Sequence, residues 1–152
     1  MKVLLLHGVN LNMFGKRDPK QYGTVTLDEI NSRMQDLGTE LGAEVIAFQT
    51  NSEGEMVDRI HAAFTEGVDA VVINPGAWTH YSYAIRDALE ILTVPIIEVH
   101  MSDIHAREPW RRVSVIKDVA KEQIAGFGVD SYLRGLRAGV ALARGGRSFD
   151  GL

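Results

Sequence analysis

The side chains best suited to chemistry stand at the ends of three short apolar segments of this 152-residue chain. Asn10, Arg17 and Tyr22 follow residues 3–6, Asn74 and His80 follow residues 69–73, and Glu98, His100 and Arg111 lie in or after residues 95–100. This set combines a phenol, imidazoles, a carboxylate and guanidinium groups. Side chains of these types can exchange protons with a small molecule and hold its polar groups.

Glu98 and His100 form a candidate acid–base pair. Residues two apart on a strand point to the same face, so a strand over residues 95–100 places the carboxylate beside the imidazole. A neighbouring carboxylate orients an imidazole, fixes its tautomer and favours the protonated form. The pair is therefore equipped as a general acid. A structural ion pair at a strand end is the alternative that the spacing leaves open.

Tyr22 and Arg17 lie five residues apart in one loop and form a candidate base. A phenol has a reference pKa of ~10, so it is a poor base near neutral pH unless cations stabilise the phenolate. A guanidinium group is always charged and can supply that stabilisation. The alternative is that Tyr22 packs at the base of the loop.

The loop that carries both residues spans positions 7–23 and is about three times as long as a usual strand-to-helix connection of roughly 2–6 residues. Loops of this length inside compact domains are commonly lids or binding loops. The alternative is a surface loop without a functional role. It loses weight if polar groups elsewhere in the chain form a site that the loop can cover.

The turn Asn74-Pro75-Gly76 stands just before a predicted helix. Its backbone N–H groups are therefore placed to receive an anion or a polarised oxygen. The alternative is an ordinary strand-to-helix turn in which His80 caps the helix.

Several other polar and aromatic residues are assigned to structure or stay undecided. We expect His105 and Arg107 to hold the irregular segment after residue 103 together rather than touch a ligand. We expect Asp87 to be solvated or to lie at an interface. Three aromatic residues either wall a pocket or lie in a subunit contact: Trp78, Tyr81 and Tyr83.

Apolar runs alternate with helical periodicity along the chain. The patterns predict strands at residues 3–6, 44–48, 69–73, 95–100 and 122–127, and helices at about 26–41, 56–64, 82–92 and 131–143. Alternation of this kind is typical of the α/β class. We predict a doubly wound, five-stranded parallel sheet in the flavodoxin-like order 2-1-3-4-5, with its ligand beyond the carboxyl ends of strands 1 and 3.

The composition narrows the classes of function. The net charge is -4 and the basic residues are scattered, which argues against a nucleic-acid partner. The absence of cysteine excludes disulfides, thiolate catalysis and cysteine-based zinc sites. No apolar stretch approaches the ~18 residues of a membrane span, and residues 3–6 are too short for a signal peptide. We expect a cytoplasmic protein with no membrane partner, one domain over residues 1–144 and a flexible tail over 145–152.

Five motifs follow one another along the chain. They are Asn10-Leu11-Asn12-x-x-Gly15-x-Arg17 with Tyr22-Gly23, Gln49-x-Asn51-x-Glu53-Gly54, Ile73-Asn74-Pro75-Gly76-Ala77-x-Thr79-His80, Ala84-Ile85-Arg86-Asp87-Ala88-Leu89, and Glu98-Val99-His100-x-Ser102-x-Ile104-His105-Ala106-Arg107-Glu108. In residue type, order and spacing the chain resembles the type II 3-dehydroquinate dehydratases, or type II dehydroquinases, over about residues 3–142. One departure is His7-Gly8-Val9-Asn10, where that family usually has Asn-Gly-Pro-Asn.

The resemblance implies a lyase that eliminates water in the anti sense from 3-dehydroquinate, through an enolate, to give 3-dehydroshikimate. It implies neither a cofactor nor a metal nor a Schiff base. The reaction belongs to the shikimate pathway, and thus to aromatic amino-acid biosynthesis, or to quinate catabolism. The family also implies a homododecamer arranged as a tetramer of trimers.

The resemblance also implies roles for single residues. Tyr22 would be the base and Arg17 would stabilise its phenolate. Asn10 would help to hold the water that stabilises the enolate oxygen. His100, oriented by Glu98, would protonate the departing hydroxyl. The implied substrate-binding residues are Asn74, His80 and Arg111, the backbone at Met101 and Ser102, and Asp87 from a neighbouring subunit, with the loop at 7–23 as a lid.

Two other classes of function compete with this interpretation. A metal-dependent hydrolase would use His80, Glu98, His100 and His105 as ligands, but their spacing fits no compact ligand motif. A non-catalytic flavodoxin-like module would need an acidic cluster or a Ser/Thr/Gly-rich phosphate loop after the first strand. This chain has neither feature, because residues 7–10 after the first strand are His-Gly-Val-Asn.

Overall fold

Strands and helices alternate along the chain in a computed structural model that describes residues 1–145, apart from the side chain of Gln21. The strands are β1 (Lys2–Val9), β2 (Glu44–Gln49), β3 (Ala70–Gly76), β4 (Ile96–His100) and β5 (Glu122–Ala125). The α-helices are α1 (Pro19–Tyr22), α2 (Leu27–Glu40), α3 (Glu53–Glu66), α4 (Tyr83–Ile91) and α5 (Val129–Ala143). None of the helices in the described range is long and apolar enough to cross a bilayer.

The five strands form one parallel sheet in the order β2-β1-β3-β4-β5, which confirms the predicted class and strand order. The register pairs His7 with Asn74, and Ile73 with Glu98. The carboxyl ends of β1, β3 and β4 therefore meet at one edge of the sheet, which is where ligands bind in open sheets of this type.

Both faces of the sheet are covered by helices. Alternate strand residues such as Leu5 and Val72 join α2 and α5 in one buried cluster. The intervening residues, such as Leu4 and Val71, join α3 and α4 in a second buried cluster on the other face. This two-sided burial explains why β1 and β3 read as nearly continuous apolar runs rather than as alternating ones.

Side-chain caps fix where helices α2, α3 and α4 begin. The hydroxyl of Thr26 accepts a hydrogen bond from the backbone N–H of Glu29 and donates one to the Glu29 carboxylate, each at 3.2 Å. Thr26 is therefore the N-cap of α2. The hydroxyl groups of Ser52 and Ser82 likewise accept a hydrogen bond from a backbone N–H three residues on, and so cap α3 and α4.

Strands β1 and β3 run three residues further than the sequence predicted, because two glycines let them come close at their ends. A Cβ atom at Gly8 would lie 2.0 Å from the carbonyl oxygen of Pro75, and one at Gly76 would lie 2.6 Å from that of Val9. Gly76 also has a φ of 64°, in the left-handed region that favours glycine. The two strands therefore stay paired up to the residues that carry the candidate chemistry.

The loop after β1 contains more structure than the sequence indicated. It holds a 3₁₀ turn at Leu11–Met13 and the single helical turn α1, which begins with Pro19 and is capped by the Asp18 carboxylate. Leu11 and Phe14 are only 3% exposed and anchor the loop in the core. The tail predicted over 145–152 lies, from residue 146 onward, outside the described residues.

His7 is a fully buried histidine near the end of β1. Its Nε2 donates a hydrogen bond to Asn31 Oδ1 on α2, at 2.7 Å. Burial lowers the pKa of His7 from 6.5 to about 4, against a smaller raising effect of the Asn31 hydrogen bond. The imidazole is therefore neutral at neutral pH.

This pKa predicts that acid weakens the fold well before the carboxylates titrate. In the unfolded chain His7 binds a proton below pH 6.5, whereas in the folded chain it does so only near pH 4. As the pH falls, protonation therefore stabilises the unfolded state relative to the folded state. The free energy of unfolding is expected to fall by roughly 2 kcal/mol from this group between pH 7 and 4.5. Urea unfolding at a series of pH values measures this slope. His7→Asn should flatten it, whereas Ile60→Val, a buried change that removes no titratable group, should lower stability without flattening it. An equally steep slope in His7→Asn would contradict the assignment.

Candidate active site

A cavity of about 80 Å³ opens at the carboxyl edge of the sheet. Every residue that the sequence singled out for the site lines it, except Glu98 and Asp87. The lining members of that set are Asn10, Arg17, Tyr22, Asn74, His80, His100, Met101, Ser102 and Arg111. The loop after β1, the end of β3 and the segment after β4 thus converge on one space.

His100 and Glu98 form a buried hydrogen-bonded pair at the end of β4. His100 Nε2 lies 2.5 Å from Glu98 Oε2, and His100 is 5% exposed whereas Glu98 is fully buried. Because Nε2 is occupied by the carboxylate, Nδ1 is the nitrogen through which His100 can exchange a proton with a molecule in the cavity. Glu98 itself lies behind His100 and does not line the cavity.

Glu98 is kept ionised by its neighbours. Burial alone would raise the pKa of this carboxyl group, but the hydrogen bond and charge of His100 outweigh it, with further help from Gln123 and Ser114. Gln123 Nε2 donates to Oε2 at 3.0 Å and the Ser114 hydroxyl donates to Oε1 at 2.9 Å. The net result is a pKa below the usual value, and thus a fixed negative charge that supports an imidazolium.

Tyr22 lies between two guanidinium groups. The Arg107 side chain donates a hydrogen bond from Nη1 to the Tyr22 hydroxyl at 3.0 Å. The Arg17 guanidinium carbon stands 3.9 Å from the centre of the Tyr22 ring. Two guanidinium groups, which are always charged, thus place positive charge beside the Tyr22 hydroxyl and ring.

Arg107 is the main residue whose position differs from the sequence expectation. It was expected to hold the segment after β4 together, yet it lines the cavity and contacts both Tyr22 and the hydroxyl of Ser102. Its Nε is buried and has no hydrogen-bond partner among the residues that the structure describes. Arg107 belongs to the fifth sequence motif, so its type and position were visible in the sequence. Spacing alone does not show that it contacts Tyr22, which lies 85 residues earlier. His105 behaves as expected and contacts Gln123.

His80 and Arg111 form the rim of the cavity around Trp110. His80 Nδ1 donates to the Val113 carbonyl at 2.6 Å, which leaves Nε2 free, and its ring meets Trp110 edge-on at 5.2 Å. Burial lowers the pKa of His80, aided by the charges of His100 and Arg111 and opposed by the Val113 hydrogen bond. A neutral His80 can accept a hydrogen bond from a bound hydroxyl group through Nε2.

Asn10 is held by residues at the end of β2. Its backbone adopts the left-handed conformation, with a φ of 69°, and its N–H donates to Asn51 Oδ1 at 2.9 Å. Gln49 Nε2 donates to the same oxygen and to the carbonyl of Gly8. Asn51 and Gln49 belong to the second sequence motif and had no assigned role, so the structure adds them as residues that position the start of the loop.

Asp87 does not reach the cavity of its own chain. It lies exposed on α4 and is not among the residues that line the cavity. Of the three aromatic residues left undecided by the sequence, Trp78 is buried in the core beside α3 and α4, whereas Tyr81 and Tyr83 are exposed.

Within residues 1–145 no group of three or more histidine, aspartate or glutamate side chains is arranged to hold a metal ion. The four residues that a metal-dependent hydrolase would use are engaged in other hydrogen bonds instead. Glu98 binds His100, His80 binds the Val113 carbonyl, and His105 contacts Gln123.

These side chains define an α/β enzyme equipped to remove one proton and deliver another on a small polar molecule. The phenol beside two cations suits proton removal, and the buried carboxylate–imidazole pair suits proton delivery. A family model described as "Dehydroquinase class II" matches residues 1–140. The chain belongs to the class II dehydroquinase family.

Relatives and solved structures agree with this membership. The chain is 65% identical over 148 residues to the 3-dehydroquinate dehydratase of Leptothrix cholodnii, covering 97% of this chain and 99% of that one. It is 66% identical over 143 residues to that of Syntrophotalea carbinolica, covering 94% and 97%. The crystal structure of type II dehydroquinase from Propionibacterium acnes superposes with a TM-score of 0.88 at 44% identity, covering 94% and 96%. The family predicted from the five motifs, and with it a hydro-lyase, is confirmed.

Proposed function

We propose that this cavity eliminates water from 3-dehydroquinate to give 3-dehydroshikimate, so that the chain acts as a 3-dehydroquinate dehydratase. The observation that carries the proposal is the 3.0 Å contact between the Tyr22 hydroxyl and Arg107, with Arg17 over the same ring, in the cavity that also contains His100. An elimination next to a ketone needs a base for the carbon acid and an acid for the departing hydroxyl.

Tyr22 is the proposed base. As a phenolate, stabilised by Arg17 and Arg107, it takes the proton on the carbon next to the ketone, and the electron pair of that C–H bond moves toward the carbonyl oxygen. An enolate results. The two guanidinium groups contribute most when negative charge is present in the site, so they favour the charged transition state over the neutral ground state.

Asn10 is the proposed holder of a water molecule that hydrogen-bonds to the enolate oxygen. Asn10 lines the cavity, and Asn51 fixes its backbone at the start of the loop. A hydrogen-bond donor that is already in place costs no reorganisation when the charge develops, which is the basis of oxyanion stabilisation.

His100 is the proposed acid. When the enolate collapses, the C–O bond to the departing hydroxyl breaks, and the proton on His100 Nδ1 joins that hydroxyl to form water. Glu98 holds Nε2 and stabilises the imidazolium before transfer, since its carboxylate is ionised and buried against the ring. The protonated phenol and the neutral imidazole then return to their starting states through solvent.

The remaining cavity residues are the proposed substrate contacts. Asn74, His80 and Arg111 line the cavity and are the proposed partners of the substrate hydroxyl groups. The backbone at Met101 and Ser102, in the same lining, is the proposed partner of the carboxylate. The part of the predicted loop that follows β1, residues 10–23, is the proposed lid over the bound molecule, since residues 7–9 belong to the strand. In the cell the reaction serves the shikimate pathway or quinate catabolism, and a cytoplasmic location stays a prediction.

The proposed assembly is a homododecamer built from trimers, with Asp87 of one chain entering the cavity of the next. Two features support it. Asp87 is exposed on α4, and several large apolar side chains near the same region are exposed: Tyr81, Tyr83, Trp110 and Val113. Apolar patches of this kind commonly mark contact surfaces between subunits. The cavity is also rich in arginine, so an entering carboxylate meets complementary charge.

Tyr22→Phe tests the assignment of the base. Removal of the hydroxyl is expected to lower kcat for 3-dehydroquinate by about 10²–10⁴-fold with little change in KM, because general base catalysis typically contributes that much. The appearance of product is followed by absorbance, with circular dichroism as the check on folding. Tyr83→Phe, which removes an exposed hydroxyl, is the matched control. Near-normal turnover by Tyr22→Phe would refute the role of Tyr22.

Asp87→Asn tests the assembly and the shared site together. Light scattering of the unmodified protein should give the mass of twelve chains. The variant should keep that mass but lose about tenfold or more in kcat/KM, since one charge-assisted contact typically contributes 1.5–3 kcal/mol. Asp58→Asn, the same change at an exposed position of α3, should keep both properties. A fully active monomer, or an Asp87→Asn variant with unchanged kcat/KM, would overturn the shared site.

A further inference from the structure

Tyr132 is a buried tyrosine that no catalytic step uses. It lies on α5, is fully buried, and stands behind the cavity rather than in its lining. Burial raises the pKa of Tyr132, against an opposing hydrogen bond from Asn74, so the phenol stays neutral. A buried neutral hydroxyl group can donate one hydrogen bond and accept another, and both its hydrogen and its oxygen need partners.

The hydroxyl of Tyr132 connects two residues from neighbouring strands. It accepts a hydrogen bond from Asn74 Nδ2 at 2.9 Å. Its other contact is His7 Nδ1 at 3.4 Å, which makes a longer hydrogen bond. His7 and Asn74 sit side by side in the register of β1 and β3.

In this series of hydrogen bonds, the direction of each bond is determined by the one before it. His7 donates from Nε2 to Asn31 Oδ1, so neutral His7 has its only N–H there and Nδ1 can only accept. The Tyr132 hydrogen therefore points toward His7, and a lone pair of the hydroxyl faces Asn74. Asn74 must then present its NH₂ group to Tyr132.

The carbonyl end of the Asn74 amide is fixed as well. Asn74 Oδ1 accepts from the backbone N–H of Gly76 at 3.1 Å. With one hydrogen of Nδ2 directed at Tyr132 and Oδ1 directed at Gly76, the second hydrogen of Nδ2 is the polar group left for the cavity, which Asn74 lines. A rotated amide would offer an acceptor instead of a donor and would break both contacts.

We infer that Tyr132, held by His7, is a positioning residue that locks the Asn74 amide as a hydrogen-bond donor toward the substrate. This inference rests on the proposed role of Asn74 in binding a substrate hydroxyl. Tyr132 touches no reacting atom and acts only through Asn74. Because Tyr132 fixes Asn74 as a donor, the substrate oxygen bound by Asn74 must accept a hydrogen bond.

A double-mutant cycle between Tyr132→Phe and Asn74→Ala, measured with 3-dehydroquinate, tests the inference. Tyr132→Phe keeps the ring and removes only the hydroxyl. In the otherwise unmodified chain it is expected to lower kcat/KM by about tenfold, mainly through KM, since it frees the amide that binds a group not undergoing reaction. In the Asn74→Ala background the same change should have less than about a twofold effect, because nothing remains to be positioned.

Val140→Ala is the matched control. It weakens the packing of the same helix at a buried site away from the cavity, so it should lower stability but leave kcat/KM within about twofold. If Tyr132→Phe does not fold, His7→Leu replaces it in the cycle, because this variant keeps the hydroxyl but removes its acceptor.

The outcomes separate the inference from the proposed function. An effect on KM that is present with Asn74 and absent without it supports the positioning role. Equal fold-changes in both backgrounds, or no effect of Tyr132→Phe at all, overturn it while leaving the dehydratase assignment intact. An Asn74→Ala variant with unchanged KM overturns it together with the proposed role of Asn74. An unmodified chain that does not turn over 3-dehydroquinate defeats the proposed function itself.

Discussion

The close approach of β1 and β3 at their carboxyl ends is the constraint on which the rest of the site depends. Gly8 lies against the backbone of Pro75, and Gly76 lies against that of Val9, at distances that leave no room for a Cβ atom. The pairing carries His7 next to Asn74 and sends the chain into the loop that bears Tyr22. Glu98 joins from β4, paired with Ile73. The β1–β3 contact therefore brings the loop after β1 and the turn after β3 to one cavity, and the β3–β4 pairing adds the acid–base pair.

The charges around the cavity divide into two halves of opposite sign. Around Tyr22, the Arg17 and Arg107 guanidinium groups supply positive charge. Around His100, the buried and ionised Glu98 supplies negative charge. One site thus holds a proposed base beside cations and a proposed acid beside a carboxylate. Helix caps and apolar layers on both faces of the sheet supply the rigidity that such a site needs.

The sequence predicted the fold class, the strand order and the set of residues around the cavity, because apolar periodicity and the polar residues at strand ends are local signals. It did not predict contacts that join distant positions. Arg107 contacts Tyr22 across 85 positions, and Tyr132 reaches His7 across 125, so only the folded chain shows them. Strand ends were also missed, since β1 and β3 continue through glycines that usually signal turns. Asp87 is exposed and does not line the cavity of its own chain, so the sequence signal at this position has no counterpart within one chain.

The central claim is that Tyr22 and His100 dehydrate 3-dehydroquinate through an enolate, without a covalent imine. Within residues 1–145 no lysine lines the cavity, so the site offers no amine for an imine. The most direct measurement is the absorbance of the conjugated enone product, recorded for protein that was first incubated with substrate and borohydride and then freed of both. Our mechanism predicts a rise in absorbance at the same rate as in untreated protein. Failure to form the enone, or loss of activity only when substrate and borohydride were present together, would contradict it.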